Sequence, residues 1–162
     1  MGGLPEVDIY TDGACRGNPG PGGWAAVLLC KGHKKELSGG EISTTNQRME
    51  LRAAIEALKA LKRPAKVRLH SDSAYLVNAF RQGWVERWRA NGWRTADNKP
   101  VSNKELWEEL LHVMAPHQVE WVKVAGHADV QWNNRADELA RAAVPGGAAE
   151  GDEAGGETTR QT

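Results

Sequence analysis

Two short stretches of this chain place a carboxylate in the same local setting. In Val7-Asp-Ile-Tyr-Thr-Asp12-Gly13 the apolar residues alternate with polar ones, a hydroxyl (Thr11) precedes the acid, and an Asp-Gly turn dipeptide follows it. Val67-Arg-Leu-His-Ser-Asp72-Ser73 repeats the pattern with Ser71 as the hydroxyl. Both read as strands that stop at an acid. If the two strands run parallel and side by side, Asp12 and Asp72 emerge at one edge of a sheet, the carboxyl end where open α/β sheets bind ligands. Two carboxylates held together there call for a cation.

Two further acids are candidates for the same place. Thr44 with Gln47 fits a capping box that opens a helix whose apolar stripe is Leu51, Ala54, Ile55, Leu58 and Leu61. At 100° per residue Glu50 falls at the margin of that stripe, so it is either an ordinary boundary residue or employed at a site. A final helix, capped by Asn133 or Asn134 and running through Leu139 to Ala143, would hold Asp137 in its first turn. There the helix dipole favours an ionised carboxylate, whether for metal binding or for stability alone.

The elements between these acids complete an α/β pattern. Asn18-Pro-Gly-Pro-Gly-Gly forces a reversal before a second strand, Trp24 to Leu29. Lys34 to Glu41 reads as a charged edge strand, although Gly39-Gly40 argues against it. A short helix from Ala74 to Phe80 leads into a segment, Arg81 to Lys104, with six basic residues, two acids and Trp84, Trp88 and Trp93 interleaved. Such a mixture serves either as a nucleic-acid platform or as core tryptophans beneath a solvated cationic face. Ser102-Asn-Lys-Glu105 opens another helix that Pro116 ends, Val119 to Val124 is a strand, and Gly126-His127 begins a loop.

Bulk properties bound the answer. At 162 residues the expectation is one domain. The stretch from Pro145 to Thr162 carries four acids against one arginine, so a chain of zero formal net charge has a body of +3. That stretch is rich in Gly, Ala and Thr without an apolar period and is expected to be a disordered tail, 145–162, behind a domain of 1–144. Cys15 and Cys30 have no metal-site or disulfide-framework spacing. The longest apolar run, Trp24 to Cys30, is far below the ~20 residues of a membrane span, and Met1 to Glu6 has no signal-like pattern, so a cytoplasmic location is expected.

TDGACRGNPGPGG, TTNQRMEL, SDSAYL, GWVERWRANGWRTADNKPV, and GH followed by NNRADELA occur in that order between Val7 and Val144. Together they resemble a type 1 ribonuclease H of the bacterial kind. The resemblance implies an α/β fold of the ribonuclease H kind: a five-stranded mixed sheet, three antiparallel strands then two parallel ones, with helices on both faces. It also implies an endonuclease that hydrolyses the RNA strand of RNA/DNA hybrids by a two-metal-ion mechanism, leaving 5′-phosphate and 3′-hydroxyl ends. The metal-binding carboxylates then fall on Asp12, Glu50, Asp72 and Asp137, which would hold two Mg²⁺ ions, with Mn²⁺ as a substitute. His127 matches the family's loop histidine, which is thought to assist proton movement or product departure. Asn18, Thr45, Asn46 and Arg48 match residues that contact phosphate and the minor groove, and the basic tryptophan segment carries binding to Trp84 and Arg87. The implied partner is an RNA/DNA hybrid, with no membrane and a monomeric enzyme. One departure stands out: Ala128-Asp-Val-Gln-Trp132 follows His127 where the family usually has a small residue, Gly and often His-Pro-Glu, which would stiffen the loop and add a negative charge. A hybrid-binding module without chemistry, or another metal nuclease of the same fold, is the competing reading.

Overall fold

The computed structural model describes residues 3–124 and 131–146. Strands β1 (Glu6–Cys15), β2 (Gly20–Cys30) and β3 (His33–Thr44) form an antiparallel meander, followed by helix α1 (Asn46–Lys59) and strand β4 (Lys66–Ser71). Helices α2 (Ala74–Arg81), α3 (Trp84–Ala90) and α4 (Lys104–Met114) then precede strand β5 (Gln118–Lys123) and helix α5 (Gln131–Ala142). The sheet order is β3-β2-β1-β4-β5; β4 runs parallel to both β1 and β5. This is the mixed sheet that the resemblance implies.

Neighbouring glycines show that the helices occupy both faces. Side chains alternate along a strand, so Gly22 and Gly23 of β2 look to opposite sides. A Cβ on Gly22 would meet the Met49 side chain of α1 at 3.0 Å, whereas a Cβ on Gly23 would meet the Ala140 carbonyl and the Val144 nitrogen at the end of α5. The main core lies on the α1 side. There Ile9, Val67 and Leu69 of the sheet pack with Leu51, Ile55 and Leu58 of α1, Leu76 of α2, and Trp107 and Leu110 of α4, all essentially without solvent exposure. Each such side chain stabilises the fold by about 1.5–3 kcal/mol relative to exposure.

Several local expectations shift. The strand β1 does not stop at Asp12-Gly13: it stays paired with β2 out to Cys15 opposite Gly22, because a long-range partner overrides the local turn signal. Gly39-Gly40 does not break β3. The Trp24 indole lies across Gly39, where a Cβ would sit 2.7 Å from its Nε1, and Gly40 faces the Ala143 carbonyl. The cap of α1 is Thr45, one residue later than read, its hydroxyl accepting from Arg48 N at 3.2 Å. Ser102 does not cap α4 either; Asn103 takes that position in the left-handed region, φ 64°, which Asn tolerates well. The tail at 145–162 lies, from Gly147 onward, outside the described residues.

Replacing Gly23 by Ala should press the added methyl group against the backbone of α5 where it crosses β2. Overpacking of this kind costs about 1–3 kcal/mol, equivalent to a melting temperature lower by about 3–10 °C for a domain of this size. Thermal denaturation of the variant checks it, and an unchanged midpoint would contradict the close approach.

Candidate active site

Parallel register brings the first two acids together. The last β1–β4 pair is Tyr10 with His70; β4 ends one residue later at Ser71, and Asp72 follows. Asp12 therefore lies where β4 has run out but the β1–β2 hairpin continues. Ser71 Oγ accepts from Ser73 N at 3.0 Å, and Ser73 Oγ caps α2 by accepting from Leu76 N at 3.1 Å. Two hydroxyls thus fix the backbone on either side of Asp72.

Gly13 brings in the third. A Cβ there would lie 2.8 Å from Glu50 N and 2.9 Å from Met49, so only glycine lets α1 lie this close to β1. One ligand oxygen each from Asp12, Glu50 and Asp72 then falls within 4.8 Å of the others. Asp137 approaches Asp12 from the opposite face, on α5. It does not stand in a first turn: α5 begins at Gln131, so Asn133 and Asn134 are inside the helix and the dipole argument fails. Packing of α5 on the sheet positions Asp137, and its exposed side is paired with Arg141 at 3.2 Å.

Burial and crowding raise the cost of ionising this cluster. Asp12 is 6% exposed and Glu50 3%. Burial first, then the Asp72 charge and a hydrogen bond with Asp137, push Asp12 up to about 7, against one stabilising N–H from Gly13 at 2.9 Å. Glu50 is raised well above the usual carboxylate range by burial, then by the charges of Asp12 and Asp72. Its Oε1 is buried with no hydrogen-bond partner. A buried carboxylate oxygen left bare beside two other carboxylates is the donor set of a hard divalent cation, which takes oxygen ligands.

The surrounding polar residues are placed as follows. Asn18 Oδ1 accepts from Asn46 N at 3.1 Å, tying the loop between β1 and β2 to the start of α1. Arg48 Nη1 donates to Asn103 Oδ1 at 3.1 Å and Glu105 Oε2 at 2.8 Å, which holds Glu105 below its ordinary range. Asn103 and Trp107 both donate to the Tyr75 hydroxyl, at 3.4 and 3.2 Å. Sequence reading missed Gly13, Asn103 and Tyr75. Gly13 looked like a turn residue, and the other two are joined to Arg48 only through the fold. The tryptophans pack as core beneath a solvated cationic face: Trp84, Trp88 and Trp93 follow one another with tilted rings at 6.4 and 6.1 Å and lie partly buried against the core, while Arg87 is exposed, its Nη1 donating to Gln82 O at 3.3 Å. His127 and Ala128 to Val130 lie outside the described residues; Gln131 and Trp132, read as loop, are the first residues of α5.

The RNase H family profile matches residues 5–145. The chain belongs to the RNase H family. It is 67% identical over 144 residues to a ribonuclease H of Symbiobacterium thermophilum, covering 89% of this chain and 98% of that one. It is 66% identical over 141 residues to one of Moorella thermoacetica, covering 87% and 93%. Among solved structures it is similar to LC9-RNase H1, a type 1 RNase H with the type 2 active-site motif (TM-score 0.79, 31% identity, 90% of this chain and 75% of that one). It is also similar to LC11-RNase H1, solved in complex with an RNA/DNA hybrid (TM-score 0.65, 28% identity, 85% and 96%).

For this RNase H family member the cluster makes stability pH-dependent. The raised Asp12 means that the metal-free native state binds more protons than the unfolded chain, so its contribution is fully present below about 4 and is lost as pH rises through about 7. The melting temperature of the chelated protein should contain a fall between pH 5 and 8 that Asp12→Asn flattens. At pH 8 that variant should melt higher by roughly 4–8 °C, from about 2 kcal/mol of relieved repulsion. Saturating Mg²⁺ should raise the parent's midpoint more than the variant's. Identical pH profiles with and without Asp12 would count against the arrangement.

Proposed function

We propose that this chain is an endonuclease that hydrolyses the RNA strand of RNA/DNA hybrids with two divalent cations, Mg²⁺ in the first place and Mn²⁺ as a substitute, leaving 5′-phosphate and 3′-hydroxyl ends. The bare, buried Oε1 of Glu50 among the carboxylates of Asp12 and Asp72 carries this reading. Family membership and the hybrid bound to LC11-RNase H1 support it.

In this reading Asp12, Glu50, Asp72 and Asp137 hold the cations. When bound, the pair supplies an activated water and charge neutralisation for in-line displacement at phosphorus. The chain's other residues bind and orient. Asn18, Thr45, Asn46 and Arg48 form one surface around the start of α1: the first three sit at the loop and the helix cap, and Arg48 is braced by Asn103 and Glu105. They contact phosphate and the minor groove, where the 2′-hydroxyls distinguish RNA. Trp84 and Arg87 extend the contact to the DNA strand. His127 moves a proton near the departing group, with an imidazole suited to neutral pH. The catalytic body is 1–144 and residues 145–162 are appended to it. The enzyme acts as a monomer in the cytoplasm; Asp12, Glu50 and Asp72 of one chain come together without a partner chain.

A non-catalytic hybrid-binding module fits less well, because four acids facing a polyanion would weaken binding without a cation. An end-labelled hybrid, incubated beside duplex RNA and duplex DNA with Mg²⁺ or chelator, tests the proposal. Mg²⁺-dependent cuts confined to the RNA of the hybrid, with 5′-phosphate and 3′-hydroxyl termini, are expected; binding without cleavage, or cyclic phosphate ends, would overturn it. Asp12→Asn and Glu50→Gln should each lower the rate by about 100-fold or more, the scale of one lost electrostatic stabiliser. His127→Ala should cost less than Asp12→Asn, because Asp129 and the altered loop already compromise the histidine; equal losses would refute that ranking.

A further inference from the structure

Arg48 is held by two neighbours of different kinds, Glu105 Oε2 at 2.8 Å and Asn103 Oδ1 at 3.1 Å, both accepting from its Nη1. The Glu105 side chain is 66% exposed, so that ion pair adds little rigidity, and its charge competes with any phosphate for the same guanidinium. Asn103 is a neutral partner and is itself anchored. It takes the cap position of α4 in the left-handed region without bonding the helix through its side chain, which leaves the amide free to bridge sideways. A guanidinium has no acceptor, so the amide must turn its oxygen to Arg48 and its NH2 to the Tyr75 hydroxyl, 3.4 Å away. The Tyr75 oxygen also accepts from Trp107 Nε1 at 3.2 Å. An indole nitrogen only donates, and Trp107 is fully buried, so this end of the chain of bonds is fixed in the core. Tyr75 lays its ring against the same indole, centroids 5.4 Å apart, and stands on α2 three residues after Asp72. One hydroxyl thus joins α2 to α4 and, through Asn103, to α1.

We propose that Tyr75 is a positioning residue for nucleic-acid binding: its hydroxyl orients the Asn103 amide, which in turn aims the Arg48 guanidinium at a phosphate of the hybrid. The proposal rests on the assignment of Arg48 to the nucleic-acid surface made above. Arg48 offers its N–H donors in a planar fork, and the rotation of that plane decides whether a phosphate is met by a pair of them or by one alone. A neutral amide sets this rotation without neutralising the charge, which Glu105 cannot do. When a phosphate arrives, Glu105 is the partner that gives way and Asn103 the one that stays. Tyr75 acts only through Arg48, and the carboxylate cluster keeps its arrangement with or without the hydroxyl.

Tyr75→Phe removes the hydroxyl and keeps the ring, and Asn103→Gly removes the amide at a left-handed position that glycine adopts freely. Anisotropy titrations of a labelled hybrid in chelator, with steady-state cleavage measured in Mg²⁺, compare each variant with the parent and with the same change made on Arg48→Ala. Each single variant should bind about 3- to 10-fold more weakly, the scale of one hydrogen bond, and should raise KM while kcat stays within about twofold. Arg48→Ala should weaken binding at least as much, and on that background neither change should weaken it further. The thermal midpoint supplies the contrast: Tyr75→Phe leaves the Trp107 N–H without its acceptor and should lower the midpoint equally in both backgrounds. Unchanged affinity in Tyr75→Phe would overturn the proposal, and so would a loss of affinity that persists without Arg48, since Tyr75 would then be structural only. If Arg48→Ala itself leaves hybrid binding unchanged, the assignment of that surface falls and the positioning role with it. If it weakens binding while Tyr75→Phe and Asn103→Gly do not, the positioning role alone falls.

Discussion

The functional site turns on the mutual repulsion of carboxylates gathered at one edge of the sheet, two of them buried. Left to water, Asp12, Glu50, Asp72 and Asp137 would separate. The fold instead fixes each on a different element and buries the two at the centre. The repulsion is relieved by protonation, as the raised Asp12 and Glu50 show, or by a cation. A fold stabilised mainly elsewhere, by the apolar core between the sheet and α1, α2 and α4, can hold this strained arrangement in place.

The geometry follows from two features of the sheet. A parallel β1–β4 pair ends where an antiparallel hairpin continues, so Asp12 and Asp72 meet at a step in the sheet. Helices then pack on both faces of that step: α1 reaches it through the missing side chain of Gly13, and α5 arrives over Gly23 and Gly40. The same loop and helix start that frame the acids also carry Asn18, Thr45, Asn46 and Arg48. The proposed chemistry and the proposed strand recognition would therefore share one frame.

Much of this is legible from residue order, and the failures have physical causes. Asp12 and Asp72 were readable because a period-two apolar pattern ending in hydroxyl-acid is a local signal. Glu50 was half readable, since its place at the margin of an apolar stripe is local but its approach to β1 depends on Gly13, 37 positions earlier in the chain and brought to it only by the fold. Asp137 was found for an incorrect reason: Asn133 and Asn134 look like caps, yet α5 already includes them, and Asn133 is buried. The caps of α1 and α4 were each misplaced by one residue: the hydroxyl that caps α1 is that of Thr45 and not of its neighbour Thr44, and Asn103 holds the α4 cap position by its left-handed backbone, its amide bonded to Arg48 and Tyr75 and not to the helix. Strand β1 outran its Asp-Gly signal because pairing with β2 is non-local.

The most direct test of a cluster kept in tension until a cation arrives is the proton balance of metal binding. Calorimetric titration of the chelator-free protein with Mg²⁺ at pH 6 to 8, in buffers of different ionisation enthalpy, measures the protons released. With Asp12 raised to about 7 and Glu50 raised well above the usual carboxylate range, the account predicts proton release on binding near pH 6.5 that declines as pH rises. Binding heats that do not depend on the buffer across that range would contradict it, since the acids would then be fully ionised and at ease without metal.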